Sequence, residues 1–135
     1  MTVTVSGCRL RVEVEIESSG DWLCADYDNM TVESQNNNYT LHVTGYHGNA
    51  GDAFNDDHVA SYRANGMPFS TPDVDNDKRP GGSCAYIRSC GWWFRRCSRS
   101  NLNCITSGYW YVTPTGSARP FSASRMMLQC GAVQN

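Results

Sequence analysis

Residues 10–17 read Leu-Arg-Val-Glu-Val-Glu-Ile-Glu, so Leu10, Val12, Val14 and Ile16 alternate with four charged side chains. A period of two sends successive side chains to opposite faces of an extended chain, which predicts an antiparallel strand with one dry face and one wet face. Ser18-Ser-Gly-Asp21 then makes a turn, and Asp21-Trp-Leu-Cys-Ala-Asp-Tyr27 predicts a second short strand. After the polar connection Gln35–Asn38, Tyr39, Leu41 and Val43 alternate with Thr40, His42 and Thr44, predicting a third strand. Beyond it Gly45, Gly48 and Gly51 interrupt any regular element. Asp52 is placed to cap a short helix over residues 53–63, where Phe54, Val59 and Tyr62 recur near helical spacing. From Asn65 to Cys104 the pattern dissolves into segments punctuated by glycine, proline and cysteine. Loops of that length in a small domain are held by disulfides or ions, or carry function. The run Ser124-Arg-Met-Met-Leu-Gln129 is too short for periodicity to choose between a closing strand and a helical turn.

A chain of 135 residues makes one small domain with a limited core. Seven cysteines supply the means to staple it. Their spacings match neither a zinc site nor a C-x-x-C redox pair, so disulfides in an oxidising compartment account for them, with one cysteine left free or committed to another chain. The spacing of Cys90 and Cys104 permits a local pair, while Cys8, Cys24 and Cys130 stay unassigned. The triplets Asn29-Met-Thr31 and Asn38-Tyr-Thr40 are acceptors compatible with secretion. Met1–Ser6 shows no leader, which implies one removed or a longer parent chain. No apolar run is long enough to cross a membrane, and a net charge of −2 offers no basic face for nucleic acid. His42, His47 and His58 lack metal-ligand spacing and no nucleophile elbow is present, so the sequence gives no sign of an enzyme.

The segment Asp73-Val-Asp-Asn-Asp77, followed by Pro80-Gly-Gly82, places carboxylates at alternating positions in a turn-prone loop. That combination suits a calcium ion, a hard cation that takes oxygen ligands from carboxylates, carbonyls and water. It is not an EF-hand, because Lys78 and Cys84 stand where that loop needs glycine and glutamate. Tyr86, Trp92, Trp93, Phe94, Tyr109, Trp110 and Tyr111 supply rings for either a pocket or the core. Arg95, Arg96 and Arg99 surround Cys97 and are candidates for anionic partners.

Taken in order, Gly45-Tyr-His-Gly-Asn-Ala-Gly-Asp-Ala53, Asn65-Gly-Met-Pro-Phe-Ser-Thr71, Asp73–Asp77, Cys84-Ala85, Gly91-Trp-Trp-Phe94, Cys97 and Asn101-Leu-Asn103 closely resemble the fibrinogen C-terminal-like domain. This is the module of fibrinogen, ficolins, angiopoietins and tachylectin-type lectins. The resemblance implies that the sequence begins after the subdomain that precedes these motifs in that family. The resemblance implies an α+β fold: a twisted antiparallel β-sheet with short helices and a loop-rich calcium- and ligand-binding subdomain. Residues 1–64 would form the sheet, 65–118 the loop-rich part and 119–135 a closing segment. It further implies a Ca2+ site at Asp75, Asp77 and the carbonyls of Arg79 and Gly81, a Cys84–Cys97 disulfide, and a cis peptide at Arg96-Cys97 beside an acetyl-recognising pocket. The ligand surface would draw on Tyr86, Trp92, Trp93, Arg96, Cys97, Tyr109 and Tyr111. The leading expectation is a secreted, calcium-dependent lectin-like module that recognises acetylated glycans or microbial surface carbohydrates. The alternatives are a structural or protein-binding module with an extracellular protein partner or a second copy of itself, and a truncated relative without sugar binding.

Overall fold

A computed structural model describes residues 5–55, 59–104, 108–111 and 118–131. The first strand, β1 (Val5–Ile16), is the centre of the molecule because it pairs on both edges. Its partners are β2 (Trp22–Val32) and the closing strand β6 (Ala118–Cys130), so the run over residues 124–129 is strand rather than helical turn. β3 (Leu41–Gly48) extends one side, β5 (Tyr109–Tyr111) and the two-residue β4 (Ser100–Asn101) the other. The order is β3-β2-β1-β6-β5-β4, antiparallel throughout. As the alternation requires, Leu10, Val12, Val14 and Ile16 are buried while Arg9 and Arg11 face water.

Three expectations are corrected. β3 continues through Gly45 to Gly48 instead of stopping, because Gly48 pairs with Ala25 where a side chain would collide with the Cys24 carbonyl, 2.3 Å from its Cβ position. Tyr39, assigned to that strand, lies before it at φ 57°. The helix over 53–63 is also absent from the described residues, which show only a 3-10 turn at Ala60–Tyr62; Asp56, Asp57 and His58 lie outside them. The competing structure is visible in the hydrogen bonds. Asp52 accepts from the Tyr27 hydroxyl at 2.7 Å instead of serving a helix alone, and the Asn65 side chain brackets the Val43 backbone, accepting from its N–H and donating to its carbonyl at 2.9 Å.

One hydrophobic core serves both the sheet and the loop-rich part, so the latter is not a body of its own. Phe54 stacks on Trp92 and meets Trp110 and Tyr27 edge-on, tying loop segments to β2 and β5. Three disulfides fasten the chain: Cys8–Cys130, Cys84–Cys97 and Cys90–Cys104, with Cys24 as a free thiol. On β6, Met126, Met127 and Leu128 stay exposed.

Candidate functional site: an arginine and tyrosine pocket

The short helix α1 (Cys84–Arg88) begins where Ser83 accepts a hydrogen bond from the Tyr86 N–H, and ends at Ser89 in the left-handed region. Five residues are enough to carry Arg88 from the disulfide to the rim of a cavity. Cys84 bonds to Cys97, which draws the Arg96–Arg99 segment alongside. That segment contains the cis Arg96-Cys97 peptide, and its Arg96 N–H donates to the Ser61 carbonyl at 3.0 Å. β5 supplies the opposite wall, held to the segment by the Tyr111 N–H donating to the Arg99 carbonyl and by the Tyr109 hydroxyl donating to the Ser98 carbonyl at 2.9 Å. Burial pushes the Tyr109 hydroxyl above its ordinary range, so it remains a protonated donor at neutral pH.

The result is an open cavity of about 940 Å³. Its charged lining is Arg79, Arg88, Arg96 and Arg99, and no carboxylate lines it among the described residues. Arg99 lies between two rings, with its guanidinium carbon 4.7 Å from the centroids of both Tyr62 and Tyr111, and Arg88 lies 5.4 Å from the centroid of Tyr109. Such contacts hold a guanidinium in place without neutralising it.

Of the residues singled out in the sequence, Arg96, Cys97, Tyr109 and Tyr111 meet at this cavity, as does Arg79. Trp92 and Trp93 are elsewhere: both are core residues, with Trp92 Nε1 donating to Ser100 Oγ and Trp93 Nε1 to the Tyr39 carbonyl. Tyr86 projects into solvent at 71% exposure and does not line the cavity. Arg95 turns inward to donate to the carbonyls of Arg63 and Asn65. Sequence reading missed Arg88 and Tyr62. The signal for Arg88 was its position four residues after Cys84, which the disulfide places against Arg96.

Residues 2–119 match the family model for the C-terminal globular domain of fibrinogen beta and gamma chains. The chain belongs to this fibrinogen C-terminal domain family. Human fibroleukin is 43% identical over 96 residues, covering 70% of the chain but only 21% of fibroleukin. The fibrinogen-like globe domain of human ANGPTL6 superposes with a TM-score of 0.79 at 29% identity, covering 94% of this chain and 58% of that one. A lamprey fibrin D-dimer, solved with the peptide Gly-His-Arg-Pro-amide, gives 0.71 at 26% identity, covering 95% and 48%. The chain thus spans about a fifth of the length of fibroleukin and about half that of the solved relatives. It is a secreted, extracellular protein of a non-catalytic family.

The fibrinogen-type acidic loop adjoins the cavity through Arg79 and Pro80. Its carboxylates cap the backbone: Asp77 accepts from the N–H groups of Arg79 at 2.8 Å and Cys84 at 2.7 Å, and Asp75 accepts from that of Asp77. Asp73 accepts from the Thr71 hydroxyl. No group of three acidic, histidine or cysteine ligands gathers among the described residues. The donor set is nevertheless all oxygen, exposed or half-exposed to water, and Asp75 keeps one carboxylate oxygen outside these bonds. That chemistry fits a hard cation completing its shell from carbonyls and water.

Proposed function

We propose that this chain is a secreted binding module of the structural or protein-binding kind, engaging an extracellular partner through the arginine and tyrosine cavity. Calcium at Asp75, Asp77 and the carbonyls of Arg79 and Gly81 would brace the loop beside it. Bound there, the ion would supply charge and rigidity rather than chemistry. The observation that carries this reading is the cavity itself: a concave, solvent-open site assembled from segments on both sides of the Cys84–Cys97 disulfide. Recognition of an N-acetyl group would want an apolar wall for the methyl. Trp92 and Trp93 are committed to the core, and the charged lining is made of guanidinium groups. This favours a protein partner over acetylated or microbial glycans.

Two measurements test the reading. Calorimetric titration with calcium should show one site in the wild type and none in Asp75→Ala/Asp77→Ala. Binding to an extracellular-matrix protein preparation should survive competition by N-acetylglucosamine and disappear in Tyr111→Ala. Retention on N-acetylglucosamine beads that EGTA reverses would restore the lectin reading and sink this one.

A further inference from the structure

Resting on the cavity being the binding site, we infer that its ligand is an acidic peptide segment of the partner. Four guanidinium groups converge on one depression in a chain whose net charge is −2. No ion pair to a carboxylate engages Arg79, Arg88 or Arg96 among the described residues. Asp77, the acidic residue nearest Arg79 in sequence, spends both oxygens on backbone N–H groups instead. Arg79, Arg88 and Arg96 therefore repel one another across the depression, and an arriving carboxylate relieves that repulsion while gaining charge-assisted, bidentate hydrogen bonds.

The arrangement is also ordered before the ligand arrives. Arg99 is held between Tyr62 and Tyr111, and Arg88 against Tyr109, so less side-chain freedom is lost on binding. The cations surround a single depression rather than tracking along a surface, which suits a short segment better than an extended polyanion. The lamprey relative's Gly-His-Arg-Pro-amide carries a terminal amine, an arginine and no carboxylate. The arginine lining of the cavity described here favours a ligand of the opposite charge.

The test is NMR on the oxidised, isotope-labelled full chain, following arginine Nε–Hε and backbone amide signals. The probes are an N-acetylated glutamate-rich hexapeptide, Gly-His-Arg-Pro-amide and a heparin-derived oligosaccharide. The acidic peptide should shift the signals of Arg88, Arg96 and Arg99, with affinity falling as salt is added and weakening about tenfold or more in Arg88→Glu and Arg96→Glu. Both positions are exposed, and near-UV circular dichroism verifies that the variants stay folded. Shifts at the cavity produced only by the cationic peptide would overturn the inference while leaving the cavity as the binding site. Tighter binding of the oligosaccharide at the same arginines would overturn the peptide assignment. If no probe perturbs the cavity, both the inference and the reading beneath it fail.

Discussion

Tyr27 shows how one side chain couples the sheet to the loops. Its ring lies in the core between Tyr46 and Phe54, while its hydroxyl reaches out to donate to Asp52. Burial foremost, then the Asp52 charge, raises its ionisation well above the ordinary tyrosine range. In the unfolded chain tyrosine ionises near pH 10, whereas the folded chain retains this proton, so folding is unaffected below that pH and loses stability above it. Alkaline unfolding should therefore have a shallower pH slope in Tyr27→Phe than in wild type, read by urea titration at stepped pH. At neutral pH the same substitution should cost about 1–3 kcal/mol, because a buried hydrogen bond to a carboxylate is lost. Asp26 has the opposite sign. Its bidentate pair with Arg11, at 2.7 and 3.0 Å, lowers its pKa, so this stabilising contribution is present above the ordinary aspartate range and fades as pH falls.

Among the elements, β1 was the most legible in the sequence because its alternation over residues 10–16 is uninterrupted and Leu10, Val12, Val14 and Ile16 are all buried. β3 was only half legible. Its glycines read as interruptions, yet Gly48, at φ 130°, is what allows the strand to pass the Cys24 carbonyl. Gly48→Ala should destabilise the domain by more than the roughly 1 kcal/mol typical of a glycine replacement elsewhere in a strand, since it adds a backbone collision to an unfavourable φ. Chemical denaturation would read the loss, and wild-type stability in this variant would contradict the pairing. Helix α1 depends on its disulfide in another way. Five residues cannot sustain a helix alone, so Cys84→Ser/Cys97→Ser should cost on the order of 3 kcal/mol by the chain-entropy estimate and release Arg88 from Tyr109.

Over the whole molecule, the Cys8–Cys130 bridge joins residues 122 apart and locks β1 to β6 at the register where those two cysteines face each other. Its removal should lower stability by up to about 5 kcal/mol, more than loss of Cys84–Cys97, because the loop it closes is far longer. Comparing the urea midpoints of the two double-serine variants checks the order. Calcium acts at the same scale through linkage: if the loop holds it, melting should rise with calcium concentration in wild type and remain fixed in Asp75→Ala/Asp77→Ala.

By itself the sequence determined the period-two strands, the oxidised cysteine framework, the acidic loop and, through linked motifs in order, the family. These are local or collinear properties, which composition and spacing express directly. The partners of Cys8 and Cys130, the burial of Trp92 and Trp93, and the gathering of Arg79, Arg88, Arg96 and Arg99 around one depression depended on contacts between distant segments. No spacing encodes them. A ring beside a motif has the same sequence signature in core or in pocket, and only the packing of Phe54, Trp92 and Trp110 decided that the tryptophans turn inward while the tyrosines of β5 turn toward the arginines.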